Sequence, residues 1–385
     1  MTTQSDNPSV VRRALLGVLP AVASLSGCRS GAPTHPAAGP RPADRPAPGG
    51  VEASGPRQAG VDRPAQPQAH AVVSVYDLPA GADTARVAAR LGEAVLELTG
   101  EPRIALGLEV GDLTVTVGAG PRLVSLARQD VAGGLELPAF AGEERTARAW
   151  GGDLLVQACA SDPVAAVLAD TRLSAQLASE GASQRWSQTG FRPPGGGAVR
   201  NLLGFPDGIE NPRTRADLER EVWLPEPAPL ADGTIAVVRR LRIDVPGFLA
   251  QSSARQEEVI GRRKADGAPL SGGGPADRLD LGAKSARGRY LVPAMAHARR
   301  ANPNATGSGR MLRRGYSYRN GPADQGLLFI SFQRQLRTFT ATQRRLDDGD
   351  DLMRFVTATA SGAFLILPGF GPERPLGSGL FAGRR

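Results

Sequence analysis

Histidine is nearly absent. The 385 residues hold only His35, His70 and His297, which excludes metal or acid–base chemistry that needs several imidazoles. Cysteine is equally scarce. Cys28 and Cys159 cannot build a disulfide framework or a four-thiolate zinc site. Lysine occurs only at Lys264 and Lys284, so nearly all of the 46 basic residues are arginine. Aromatics make up 5% of the chain. No uninterrupted apolar run reaches the roughly 18 residues of a membrane-spanning helix, which excludes a polytopic membrane protein.

What is present is 41% hydrophobic and 22% charged, enough for one large domain or two ordinary ones. A disulfide-stapled mini-protein and a wholly disordered chain are excluded. The net charge of +8 does not indicate nucleic acid. An arginine bias alongside abundant Ala, Gly and Pro suits a GC-rich coding sequence, and no arginine–aromatic RNA motif or helix-turn-helix pattern occurs.

Residues 1–28 read as an export signal. Arg12-Arg13 precede the apolar run Ala14 to Leu25, 12 residues long and too short to span a bilayer stably. The pair resembles a twin-arginine signal, with Val11 where Ser is favoured and Gly17 where a later Lys is usual. Leu25-Ser26-Gly27-Cys28 is similar to a lipobox and equally to an ordinary small-residue cleavage region. Residues 29–70 hold nine Pro, six Gly and nine Ala, with Val51 and Val61 as the only large aliphatics. Such a stretch is expected to be a disordered tether.

From Ala71 the pattern changes. Strands are expected over 71–76, 113–117 and 153–159, and helices over 84–98 and from Asp162-Pro163 to about Leu177. Cys159 reads as a small apolar core residue. In the second half, strands are expected at 235–243, 326–332 and 363–367, and helices at 254–263, 338–346 and 350–358. The alternation runs twice and predicts an α+β protein of two similar halves, 71–200 and 201–385. Pro193-Pro194-Gly195-Gly196-Gly197 marks the join.

Three segments carry candidate chemistry. Asn201-Leu202-Leu203-Gly204-Phe205-Pro206-Asp207-Gly208-Ile209-Glu210-Asn211-Pro212 lets glycines bring backbone close to a flat ligand and projects Asp207, which could equally be a turn cap. Ala296-His297-Ala298-Arg299-Arg300-Ala301-Asn302-Pro303-Asn304 carries the one histidine of the folded part. It is either an ordinary packed side chain or a lone ligand; one protein ligand cannot hold zinc but can hold haem. Met311-Leu312-Arg313-Arg314-Gly315-Tyr316-Ser317-Tyr318 is a charged strand edge or an arginine aimed into a polar cavity.

Together these segments resemble the dye-decolourising haem peroxidases, especially their twin-arginine-exported, EfeB-type branch. Gly204-Phe205-Pro206-Asp207-Gly208 is similar to the family's GxxDG motif. Gly151-Gly152-Asp153-Leu154, Arg185-Trp186-Ser187-Gln188 and Ile260-Gly261-Arg262-Arg263-Lys264 fall in the same order, and the resemblance covers about residues 71–370. It implies two ferredoxin-like halves with antiparallel sheets and haem b in the second. It implies His297 as proximal iron ligand, Asp207 as distal acid–base residue and Arg313 as distal arginine. By motif position Gly208, Ile209 and Glu210, together with Asn302, Pro303 and Asn304, would line the haem. Asn304 replaces a frequent Arg, and Ile209-Glu210 replaces a Thr with a small residue.

The resemblance also implies the chemistry. Asp207 would move a proton from the near to the far peroxide oxygen, Arg313 would stabilise charge as the O–O bond breaks, and an organic donor would lose single electrons. Trp186, Trp223, Tyr316 and Tyr318 read either as electron relays or as core aromatics. One alternative is a deferrochelatase that releases iron from haem in iron uptake, with uptake proteins as partners. Another is a non-enzymatic, tethered haem-binding lipoprotein, touching the membrane only through a lipid on Cys28. A homo-oligomer is expected by family resemblance. No G-x-S-x-G elbow accompanies His297, which excludes a serine hydrolase of that type.

Overall fold

The computed structural model describes residues 50–381, apart from 101–103, 106, 129–130, 132–133, 195–198 and 226–228. The export signal expected over 1–28 and the first part of the expected tether, 29–49, lie outside the described residues.

The first half runs β1 (His70–Asp77), α1 (Thr84–Thr99), β2 (Thr114–Ala119), β3 (Leu154–Ala160), α2 (Pro163–Ser179) and β4 (Ser183–Phe191). Both helices begin where the sequence supplies a cap. Asp83 accepts from the Arg86 amide and Asp162 from the Val164 amide, with Pro163 at the first helical position. The second half holds β5 (Thr234–Ile243), α3 (Ser253–Ile260), α4 (His297–Arg300), β6 (Leu312–Arg313), β7 (Tyr316–Gly321), β8 (Asp324–Gln333), α5 (Leu336–Asp347) and β9 (Val356–Ile366).

All strand pairs among these are antiparallel. In space the first half reads β2-β3-β1-β4 and the second β9-β5-β8-β7, with β6 continuing the β7 edge along β8. β9 joins β2 through Leu365↔Ala119, and β7 joins β4 through Ser317↔Phe191. The β5–β8 pairing completes a closed ring of strands, so the halves share one sheet rather than standing apart.

Strand periodicity then decides what faces where. Ala71, Val73 and Val75 of β1 point into the ring with Leu155, Cys159, Ala236, Val238, Ile330 and Phe332. Val72 and Tyr76 point outward, where α1 and α2 cover them. On the second half the outward positions are Arg239, Leu241 and Ile243 of β5, Leu327 and Phe329 of β8, and Val356 and Ala358 of β9. They line a cavity instead. The barrel is thus a packed core, and the site lies outside it, between the second half's sheet and its helices and loops.

Two expectations need correction. Composition predicts a tether through residue 70, but residues 50–69 pack on the barrel. The Gln58 amide donates to the carbonyls of Val117 and Leu367, each at 2.8 Å, and accepts from the Val117 amide at 2.8 Å. Gln68 donates to the Asp112 carbonyl at 2.9 Å, and Val61 joins the interior cluster. The segment lacks large aliphatics but is held by buried hydrogen bonds, which composition does not register. A helix over 350–358 is replaced by one tight turn, Asp351–Phe355, because Val356 and Thr357 pair with β5. Trp223, Tyr316, Tyr318 and Cys159 are buried, as core residues are. No helix of the described residues is long and apolar enough to cross a membrane.

Candidate functional site

The loop 201–211 is built tightly from its own residues. Val199 and Arg200 pair antiparallel with Asp207 and Pro206. Between them the Asn201 side chain accepts from the amides of Leu203 at 3.0 Å and Phe205 at 3.4 Å. Gly204 sits at φ +85° and Gly208 at φ +78°, left-handed values that favour glycine. Leu203 and Phe205 anchor the loop in an apolar cluster with Phe248, Val259 and Ile260. Asp207 therefore leaves a fixed hairpin end, and the Gly208 amide donates to its Oδ1 at 2.6 Å.

Arg313 ends the short strand β6. Its Nη2 lies 3.4 Å from Asp207 Oδ1, with both side chains part-exposed. Its backbone is clamped by Asn211, whose Oδ1 accepts from the Arg313 amide at 3.1 Å and whose Nδ2 donates to the Arg313 carbonyl at 2.7 Å. Thus the 201–211 loop holds both members of the pair, one directly and one through Asn211.

His297 opens α4. This helix is held by Arg300, which donates to the Arg345 carbonyl at 3.0 and 2.7 Å, and by Arg299, which reaches the Val292 carbonyl. His297 Nδ1 lies 2.6 Å from Asp350 Oδ2, a fully buried carboxylate. Asp350 Oδ1 caps the following turn at the Leu352 amide, 2.8 Å away. Burial pulls the His297 pKa down, but the Asp350 charge and hydrogen bond outweigh it, and the net direction is upward from 6.5. Asp207 and Arg313 also act on this titration, with opposite signs, so they stand near the ring.

His297, Asp207 and Arg313 line one cavity, with about 1780 Å³ of atom-free space when its open mouth is included. Gly208, Ile209, Glu210, Asn302 and Pro303 line it as well. Asn304 does not. It is the second residue of the helical turn Pro303–Thr306, its amide capped by Asn302 Oδ1 at 3.0 Å and its side chain exposed. The unusual Glu210 faces the buried Arg262 at 3.6 Å, and its Oε1 has no hydrogen-bond partner among the described residues. Arg239 and Arg310 line the walls too.

Sequence reasoning missed Asp350, Asn211, Arg262 and Arg310. The first two had a faint signal, an Asp preceding a turn and an Asn just past the GxxDG-like stretch, but their partners lie 53 and 102 residues away. No local pattern announces such pairs.

Comparison with known proteins agrees with this geometry. Residues 58–192 match the N-terminal domain of Dyp-type peroxidases, and residues 198–370 match the C-terminal domain. A "Dye-decolorizing peroxidase" of Thermobifida fusca is 35% identical over 321 residues, 77% of this chain and 74% of that protein. A "Deferrochelatase" of Escherichia coli is 32% identical over 284 residues, covering 67% of this chain and 66% of that protein. The crystal structure of a DyP-type peroxidase from Streptomyces coelicolor superposes with a TM-score of 0.81 at 34% identity, covering 88% of this chain and 98% of that one.

Proposed function

The chain belongs to the Dyp-type peroxidase family of haem enzymes, and from that premise we propose that His297 holds the iron while Asp207 and Arg313 work on the peroxide. The α+β fold with antiparallel strands is the fold of that family's solved structures. The carrying observation is the grouping in one cavity of a carboxylate-backed histidine and an aspartate–arginine pair.

The donor set fits the cofactor. His297 engages Asp350 only through Nδ1, which leaves Nε2 as the free ring nitrogen, and the ring lines the same cavity as Asp207 and Arg313. Haem, when bound there, would supply a redox-active iron and a macrocycle able to exchange single electrons. Asp350 fixes the tautomer of His297, keeping the proton on Nδ1, and raises its basicity. Asp207 takes the proton of the near peroxide oxygen and returns it to the far one. The Gly208 amide keeps its carboxylate oriented for that transfer. Arg313 stabilises the negative charge that grows as the O–O bond breaks. The apolar walls, among them Leu241, Leu327 and Phe329, exclude bulk water. An organic donor then gives up single electrons.

The test is peroxide reactivity of haem-loaded Asp207→Asn and Arg313→Leu. Both are expected to lose it. If Asp207→Asn kept normal reactivity while Arg313→Leu lost it, Arg313 alone would be the catalyst.

A second reading is favoured by the deferrochelatase relatives, of whose length the chain spans just under two thirds. Iron is then a product, and free protoporphyrin released from supplied haem supports this reading; haem retained beside an oxidised donor opposes it. Twin-arginine export and a lipid on Cys28 remain our proposals, supported by Arg12-Arg13 and Leu25-Ser26-Gly27-Cys28. The mass of the mature N-terminus tests both. A homo-oligomer is proposed on the family relation and tested by light scattering.

A further inference from the structure

Behind the Asp207–Arg313 pair lies a second chamber. It shares Asp207, Gly208 and Arg313 with the first cavity and continues between the Asp62–Pro67 segment and the 199–213 region. We propose that this chamber is a binding site for a small monovalent anion, held by Arg314 and Arg192.

The charge is one-sided. Five arginines line the chamber, Arg192, Arg200, Arg213, Arg313 and Arg314, against two carboxylates, Asp62 and Asp207. Three of the five are engaged, Arg314 through Nη1 alone. Arg313 meets Asp207, and Arg200 is spent on the carbonyls of Gly204, Lys264 and Ala265. Arg192 and Arg213 pair with no carboxylate among the described residues; Arg192 lies over the Tyr316 ring at 6.0 Å.

Arg314 is the decisive residue. It is only 3% exposed and has no ion-pair partner among the described residues. Nη1 donates to the carbonyls of Val61 at 3.0 Å and Pro64 at 2.8 Å. Nη2 is buried and has no hydrogen-bond partner among the described residues. Buried guanidinium groups are ordinarily paired, because an uncompensated buried charge is costly. Burial pulls the Arg314 pKa down and the nearby Arg192 charge pulls the same way, outweighing the opposite pull of Asp62. An anion at Nη2 would offset both effects.

The geometry also limits the ligand's size and charge. Arg314 has one free terminal nitrogen to offer, and Arg192 supplies a second charge. That suits a halide-sized anion and not a polyphosphate, which needs many converging donors. Seated there, the anion shares its chamber with Arg313. If the peroxide chemistry proposed above is correct, it competes with peroxide for this approach.

The site can be tested on the haem-loaded protein with chloride as probe, by the quadrupolar broadening of the chloride NMR line. Wild type should broaden the line, and thiocyanate should reverse the effect. Arg192→Gln and Arg314→Gln should lose the broadening, and Asp62→Asn should strengthen it. Arg314→Gln also loses its bonds to Val61 and Pro64, so if it fails to fold, Arg192→Gln decides. Broadening equal in wild type and Arg192→Gln, or none in wild type, overturns the proposal and leaves Nη2 to water. Peroxide kinetics form a separate arm. Chloride should slow the wild type and not Arg192→Gln. Broadening without that slowing overturns the competition while the anion site stands, and peroxide inertness of all forms refutes the catalytic reading alone.

Discussion

Asn211 touches no reacting group in this account, yet it should control the rate. Its side chain makes two hydrogen bonds to the Arg313 backbone, at 2.7 and 3.1 Å, and among the described residues no other hydrogen bond fixes that residue to the 201–211 loop except the long 3.4 Å contact with Asp207. Two such bonds are worth about 1–3 kcal/mol together. If most of that holds Arg313 in place, Asn211→Ala should slow the peroxide reaction by about tenfold to a hundredfold. Removing the guanidinium itself in Arg313→Leu should cost about a hundredfold to a thousandfold, the range seen for lost charge-stabilising donors. Asn211→Asp keeps the acceptor and loses the donor, so it should fall between wild type and Asn211→Ala. The assay is stopped-flow mixing of haem-loaded protein with peroxide, alongside urea unfolding to separate rate from stability. The double variant is the sharpest arm, because a residue acting through Arg313 has nothing left to position once Arg313 is Leu. An unchanged rate in Asn211→Ala, or a loss that persists undiminished in the Arg313→Leu background, would refute the reasoning.

Other perturbations follow from the same contacts. A chain beginning at residue 50 should match the full chain in urea stability, whereas one beginning at residue 71 should be clearly weaker, because it loses the bonds of Gln58 and Gln68; equal midpoints would return residues 50–69 to the tether. Burial pushes the Cys159 thiol up to about 11 from 9.0 and the Tyr318 hydroxyl up to about 12 from 10.0. Both groups stay neutral longer in the folded state, so stability should be intact below pH 9 and decline as pH rises through their folded values. Cys159→Ala should remove the first part of that decline, and native Cys159 should resist alkylation at neutral pH until urea unfolds the chain. Gly204→Ala forces an L side chain at φ +85° and should cost about 1 kcal/mol or more, with faster haem loss as the loop shifts.

Much of this was written in the sequence because it is local. Helical spacing over 84–98 and the Asp162-Pro163 start place α1 and α2 within two residues, and period-two alternation in 71–76 separates the ring interior from the helix-covered face. His297, Asp207 and Arg313 were each named from motif position, and the structure brings them to one cavity. What stayed hidden is long-range. The closure of the ring rests on contacts such as Ser317 with Phe191, and the support of His297 rests on Asp350. The segment 50–69 was misjudged because its order comes from Gln58, Gln68 and the carbonyls that meet Arg314, not from aliphatic burial. Motif position assigns Asn304 to the haem, whereas in the structure it is exposed and does not line the cavity.

We propose above all that His297 would hold a haem in the cavity that Asp207 and Arg313 also line. The most direct test is an absorption spectrum of residues 50–385, wild type and His297→Ala, after haem is supplied and again after peroxide is added. A Soret band that peroxide shifts is expected in wild type, with its loss or displacement in His297→Ala. A folded wild type that takes up no haem, or a His297→Ala protein with an unchanged band and unchanged peroxide response, would contradict it.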